Sequence, residues 1–185
     1  FTKEDFIPEG ANKILHTISP IIALVPALLT FAVVPFGGQY TLFDTEVNLV
    51  ISDLDVGLLF VFAIASLATY GYVIAGWSSN NNWSLLGSMR TASQMISYEV
   101  TMGLTIIGVL MVYGSMKLTE IGAIQENFWM WGVFLQPVGF FMFLTASIAE
   151  NKRIPFDAPE AESELVAGYF TEYSGLKFGM FFMAE

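Results

Sequence analysis

The residues best suited to chemistry are carboxylates placed within or beside apolar stretches. Glu99 lies inside the run 95–103, where an ionised side chain in a membrane helix costs several kcal/mol unless it is paired, hydrated or protonated. Because it falls about one turn after the expected start of a helix, Glu99 is a candidate for holding and transferring protons. The alternative is a carboxylate that extends to the lipid headgroups or pairs with Arg90.

A second group of acids connects the fourth and fifth apolar segments. The carboxylates within residues 150–164 are Glu150, Asp157, Glu160, Glu162 and Glu164. Acids after Pro159 suit a helix N-terminus, but this accounts for only one or two of them. At about 100° per residue, Glu160 and Glu164 share one helix face while Glu162 points nearly opposite. The spacing therefore predicts a hydrated acidic funnel whose members are coupled as they titrate.

The remaining polar residues carry weaker indications. Glu185 ends the fifth apolar segment and would be embedded if that helix continued. Asp53 and Asp55 open the second segment, where two acids more often mark a solvated helix start than a proton relay. The single histidine, His16, has no nearby ligand partners, and without cysteine the chain cannot hold a thiolate-ligated iron–sulfur cluster. We therefore expect no metal site, and any electron carriers would belong to other chains.

The composition is typical of a membrane protein. Of the 185 residues, 55% are hydrophobic and 13% are charged, and that charged share is about half of the value for soluble domains. The formal net charge of -10 disfavours nucleic acid or an anionic lipid surface as a partner. We therefore expect no binding of nucleic acid.

Stretches of about 20 apolar residues are long enough to cross a hydrocarbon core as helices. Such segments occur at roughly 17–36, 54–77, 95–114, 128–149 and 163–184. None alternates with the period of two that barrel strands require, and Pro20, Pro26 and Pro35 predict a kink in the first segment. The sequence thus predicts an all-α fold, a polytopic transmembrane helical bundle that forms a single domain over residues 1–185.

The basic residues set the expected orientation of this bundle. Lys117 lies alone on one side, and the other side carries Lys3, Lys13, Arg90, Lys152 and Arg153. This distribution places the acidic loop 150–163 and residues 1–16, an expected interfacial segment, in the cytoplasm or the mitochondrial matrix. The sequence starts without methionine and stops inside an apolar run, so we expect a piece of a longer protein.

Several runs of residues closely resemble the signature of one family. The strongest is the acidic run at 154–169, and further matches occur at 75–81, 85–90, 94–100, 149–150, 171–175 and 181–185. They resemble the family of the H subunit, also called subunit 1, of respiratory complex I, the proton-pumping NADH:quinone oxidoreductase. Departures from the commonest pattern are Lys152 in place of Asn, Ala158 in place of Leu and Asp55 in place of Asn.

The resemblance implies a membrane subunit of a translocase, with about eight transmembrane helices in its full length. Members of this family help to form the quinone-binding chamber and relay quinone reduction to proton pumping through buried glutamates. They bind no cofactor themselves; quinone is the substrate, and NADH, FMN and iron–sulfur clusters bind to partner subunits. The implied partners are peripheral-arm subunits at the quinone site and small membrane-arm subunits. The implied location is the bacterial inner membrane or, alternatively, the mitochondrial inner membrane.

The resemblance also implies roles for individual residues. A proton or charge relay is implied for Glu99, Glu150, Glu160, Glu162, Glu164 and Glu185. Quinone binding is implied for Arg153, Phe156, Asp157, Phe182 and Met183. The alternative is a homologous membrane subunit of an energy-converting hydrogenase or of a non-NADH quinone reductase, but the full match of the acidic loop favours the NADH-linked branch. A free-standing transporter would need paired inverted repeats, and a mere anchor would not need Glu99.

Overall fold

The computed structural model describes residues 6–37, 39–42, 45–158 and 166–184. Most of these residues are helical, and the helices are α1 (Lys13–Thr30), α2 (Gly57–Ala65), α3 (Ala68–Ser78), α4 (Asn82–Tyr113), α5 (Leu118–Ile124), α6 (Gly132–Leu135), α7 (Pro137–Glu150) and α8 (Gly175–Ala184). Short 3-10 turns occur at Phe128–Met130 and Gly168–Phe170. A small antiparallel hairpin between α1 and α2 pairs β1 (Gln39–Leu42) with β2 (Thr45–Asn48).

The long helices confirm the predicted membrane helical bundle. Three of them are long and apolar enough to cross a membrane: α1, the α2–α3 pair taken together over Gly57–Ser78, and α4. The helices α7 and α8 are apolar but shorter. Large apolar side chains such as Leu28, Leu104 and Met111 are exposed on the outside of these helices, as expected of surfaces that face lipid.

Helix α4 begins earlier than the sequence predicts. The apolar run predicts a start near residue 95, but the helix starts at Asn82, where the side chain of Asn81 accepts a hydrogen bond from the backbone N–H of Trp83. The first turns are rich in hydroxyl groups, so a search for apolar runs misses them. Ser88 and Thr91 donate these hydroxyls to carbonyls of their own helix. Glu99 therefore lies near the middle of α4 and not one turn after its start.

The fourth and fifth predicted segments are interrupted. Over residues 128–149 the chain forms a 3-10 turn, α6 and then α7, which starts at Pro137 because proline suits the first turn of a helix. In the fifth segment the described helix is only Gly175–Ala184. Gly168 and Gly175 precede it with positive φ angles of 62° and 59°, and such angles are incompatible with a continuous right-handed helix.

An aromatic cluster forms the centre of the bundle. Helix α3 packs between α1 and α4, α4 packs on α7, and α8 packs on α1. The rings of Tyr169 and Tyr72 lie 4.8 Å apart between centroids, and Phe181 of α8 lies within 5.4 Å of Tyr169 and 4.9 Å of Tyr173. Residues from both ends of the described chain thus share one core.

Helices α1 and α3 approach closely at Gly71. A Cβ atom on Gly71 would lie only 2.6 Å from the backbone nitrogen of Ala23, a contact that the two backbones could relieve only by moving apart. This agrees with the packing role that small residues have in membrane helices.

We expect Gly71→Ala to destabilise the protein by about 1–3 kcal/mol, the usual cost of overpacking. Gly103→Ala is the matched control, because a Cβ on Gly103 of α4 meets nothing within 4 Å. The measurement is the thermal midpoint of each variant in detergent. A midpoint for Gly71→Ala equal to that of Gly103→Ala would contradict the close packing of α1 on α3.

Candidate functional site

The candidate site lies where α4 packs on the C-terminal end of α7. Glu99 projects from α4, and Glu150 is the last residue of α7. Both side chains are partly buried, and the charge of Glu99 acts directly on Glu150. Two carboxylates that repel each other in a partly buried place do not ionise independently. The structure therefore brings together two of the six predicted relay acids.

The other four predicted relay acids lie outside the described residues. They are Glu160, Glu162 and Glu164 of the acidic loop, together with Glu185. The hydrated acidic funnel accordingly stays a prediction.

Gln94 ties the acidic connection to α4 at this point. Its Nε2 donates one hydrogen bond to the carbonyl oxygen of Ala149, at 2.8 Å, and another to that of Phe156, at 2.7 Å. One turn further along α4, the ring of Tyr98 packs edge-on against that of Phe156, with centroids 5.8 Å apart. The sequence reasoning missed both residues because neither is charged. The available signal was an amide in an apolar helix, which must find hydrogen-bond partners.

The residues implied in quinone binding come from two elements. Arg153 and Phe156 follow α7, and Phe182 lies on α8. The Arg153 guanidinium lies over the ring of Phe182, 5.4 Å from its centroid, so the loop and α8 meet at this cation–π contact. Asp157 and Met183 are exposed. The structure thus places Phe156 beside Tyr98 and Arg153 beside Phe182.

Lys152 is turned into the aromatic core. Its φ angle is +51° and the residue is only 3% exposed. The Nζ atom donates a hydrogen bond of 2.8 Å to the hydroxyl of Tyr169, and it lies 4.2 Å and 4.5 Å from the ring centroids of Tyr72 and Tyr169. These contacts stabilise a buried ammonium group and anchor the chain directly after Glu150. The sequence marks this lysine as unusual but gives no means of placing it.

A hydroxyl network holds the segment before α8. The hydroxyl of Tyr173 lies 2.8 Å from that of Ser19 on α1 and 3.2 Å from that of Ser78 on α3. The imidazole of His16 stacks on the Tyr173 ring at 4.0 Å, with the planes 3° apart. Burial raises the pKa of Tyr173, and the hydrogen bonds with the serines only partly oppose this, so the phenol is neutral near pH 7. The network therefore fixes the start of α8 without adding charge.

The acids at the start of α2 form ion pairs. Lys117 lies 3.1 Å from Asp53 and 3.3 Å from Asp55, and Thr119 donates a hydrogen bond to Asp53. These contacts join the start of α2 to the segment between α4 and α5. Hydrogen bonding to the two aspartates raises the pKa of Lys117. The pairing favours the structural role that the sequence predicted for Asp53 and Asp55.

The described part of the chain contains no group of three or more His, Asp or Glu side chains that could hold a metal ion. What these residues can do is hold protons on Glu99 and Glu150, and present a cation and aromatic rings to a flat apolar ligand. The two capacities are next to each other, because Phe156 and Ala149 share the Gln94 amide.

Comparison with known proteins identifies the family. The sequence model of the NADH dehydrogenase family matches residues 1–185. The NADH-quinone oxidoreductase H subunit 1 of Geobacter metallireducens is 53% identical over 184 residues, which cover 100% of this chain and 55% of that relative. The H subunit of the Helicobacter acinonychis oxidoreductase is 52% identical over 186 residues, with 100% and 56% covered. The H subunit 2 of Koribacter versatilis is 48% identical over 196 residues, with 99% and 55% covered. The chain spans about half the length of these curated relatives, and it belongs to the NADH dehydrogenase family.

Proposed function

We propose that this chain is the central part of a membrane subunit of a proton-translocating NADH:quinone oxidoreductase. In this role it forms one wall of the quinone chamber and passes the effect of quinone reduction to buried glutamates. The names of the relatives support the assignment. The observation that carries it is the shared Gln94 amide, which joins Phe156, a residue implied in quinone binding, to the end of α7 beside Glu150.

The chamber wall would be built from Arg153, Phe156 and Phe182. Aromatic rings offer an apolar surface for a quinone ring, and the Arg153 guanidinium offers fixed N–H donors for its oxygens. Asp157, which is exposed in the same loop, would respond to the change of charge. Met183, on the exposed side of α8, would border the entrance. Electrons would come from iron–sulfur clusters on partner subunits, which also bind NADH and FMN.

The relay would begin with the two acids at the α4–α7 contact. Reduction of quinone to quinol takes up two electrons and two protons, and the protons must pass through groups that can hold them. Because Glu99 and Glu150 act on each other electrostatically, a proton gained by one changes the affinity of the other. Glu160, Glu162, Glu164 and Glu185 would extend this path as further acids of the funnel.

The proposed location is the bacterial inner membrane, and the bacterial relatives support it. Within the complex, the partners would be the peripheral-arm subunits at the quinone site and the small membrane-arm subunits. The side that carries the acidic loop would face the peripheral arm, because electrons arrive from there.

Copurification tests this function directly. We expect an affinity-tagged full-length protein, extracted from its native membrane in mild detergent, to copurify with subunits that oxidise NADH, both with quinone and with an artificial acceptor that takes electrons from the clusters. The tagged complex without its peripheral arm is the control for activity of the membrane part alone. Copurification with a hydrogen-oxidising enzyme, and no NADH oxidation, would instead support the energy-converting hydrogenase alternative.

A further inference from the structure

We propose that Gln94 is the positioning residue that couples movement of the quinone-facing loop to the acid pair Glu99 and Glu150. The inference rests on the proposed function, and it assigns a role to a residue that is neither a proton carrier nor a quinone contact. Its basis is the position of one amide between two backbone segments that belong to different parts of the mechanism.

The amide orientation follows from its surroundings. Both contacts of Nε2 are carbonyl oxygens, at 2.8 Å on Ala149 and 2.7 Å on Phe156. A side-chain amide nitrogen carries two N–H donors, and carbonyl oxygens only accept. The reversed amide would direct its oxygen at two acceptors and lose both hydrogen bonds. Both N–H groups are therefore used, one for each segment.

The two acceptors belong to segments that have separate roles. Ala149 is fully buried and belongs to the last turn of α7, where the carbonyl groups lack full intrahelical pairing. Its neighbour in the chain is Glu150. Phe156 belongs to the loop that would contact quinone, and it closes a turn in which its N–H donates to the carbonyl of Arg153 at 2.7 Å. A single rigid amide thus sets the distance between the loop and the helix end.

The third element of the arrangement is α4 itself. Gln94 lies about one turn before Tyr98 and Glu99 on this helix, and Tyr98 packs against the Phe156 ring. A ligand that displaces Phe156 must stretch its hydrogen bond to Gln94 or carry the amide with it. In either case the position of the α7 end changes relative to α4, and with it the separation of Glu99 and Glu150. The device needs no chemistry at Gln94.

Gln94→Glu is the decisive variant because it keeps the shape and removes the donors. An ionised carboxylate at this position directs oxygens at two carbonyls, whereas a protonated carboxyl group regains a single O–H donor. In the assembled complex at pH 8, we expect NADH-driven quinone reduction to fall about tenfold, as for loss of two hydrogen bonds. We expect part of this loss to be recovered as the pH is lowered to about 6, where the introduced carboxyl group gains protons. Gln94→Leu should show the loss without the recovery.

The matched control is Gln125→Glu. The Gln125 amide donates to the hydroxyl of Tyr113, near the opposite end of α4, and this site is remote from both acids. We expect its activity to follow the wild-type pH profile. A Gln94→Glu profile that is parallel to wild type would overturn the inference, and so would failure of both Gln94 variants to assemble, because a positioning role requires an assembled complex.

A double variant separates this inference from the proposed function. If Gln94 acts through the acid pair, adding Gln94→Leu to Glu150→Gln should lower activity no further than Glu150→Gln alone, whereas independent roles would multiply the two losses. Multiplied losses would overturn the coupling role and leave the quinone reductase assignment intact. Absence of NADH-driven quinone reduction in the wild-type complex would instead remove the proposed function on which the inference rests.

Discussion

Glu99→Gln is expected to lower NADH-driven quinone reduction and proton translocation by about tenfold or more, within the range of losses that follow removal of an acid–base group. The amide has nearly the same size as the carboxyl group but cannot accept or release a proton at neutral pH. The measurement uses inverted membrane vesicles that carry the full-length protein, with quinone reduction and proton uptake followed in parallel. Glu150→Gln should give a loss of the same kind, because each acid senses the charge of the other.

Two controls distinguish loss of the relay from loss of assembly. Glu120→Gln removes an exposed carboxyl group of α5 and should leave both activities near wild type. NADH oxidation by an acceptor that takes electrons directly from the clusters should also be unchanged in Glu99→Gln, because it does not involve this chain. Equal loss of both NADH activities would show failed assembly, and full activity of the variant would reduce Glu99 to a structural acid.

Phe156→Ala is expected to raise the KM for quinone about tenfold and to change kcat much less. Its ring packs on Tyr98, and loss of an aromatic contact surface of this kind costs about 1.5–3 kcal/mol of binding energy. The Phe156 carbonyl remains in the variant, so the hydrogen bond to Gln94 can persist. The measurement is the dependence of NADH-driven quinone reduction on the concentration of a soluble short-chain quinone.

The control for this variant is Phe141→Ala. Phe141 belongs to α7 and is 61% exposed, so it loses a ring of equal size at the outer surface of the bundle. We expect its KM to match that of the wild type. A fall in kcat for Phe156→Ala with no change in KM would remove Phe156 from the chamber wall and leave it as a packing partner of Tyr98.

The class of fold was predictable because it depends on local properties of the chain. An apolar run of sufficient length forms a membrane helix wherever its partners are, so the bundle and its three longest helices follow from the sequence. The helix boundaries were less predictable. The start of α4 at Asn82 depends on hydroxyl groups, such as that of Ser84, which donates to the carbonyl of Tyr169. A search for apolar runs excludes such residues, although tertiary contacts make them suitable for the interior.

The candidate site divides in the same way. Glu99 and Glu150 could be identified from the sequence alone, because a carboxylate inside or beside an apolar helix needs an explanation. Their proximity could not, since the two acids belong to different helices and meet only through the packing of α4 on α7. The role of Gln94 also depends on two carbonyl groups, and every residue has a carbonyl. No side-chain pattern marks which ones will be reached.

The sequence by itself determined a helical membrane protein with acids in unusual places and a family signature in the acidic run. The tertiary structure decided which groups act on one another: Lys152 with Tyr72 and Tyr169, Arg153 with Phe182, and Gln94 with the two segments that it joins. The physical reason is range. The free energy of transferring a segment into lipid is a sum over neighbouring residues, whereas hydrogen bonds and ring contacts depend on distances of a few ångströms between residues far apart in the chain.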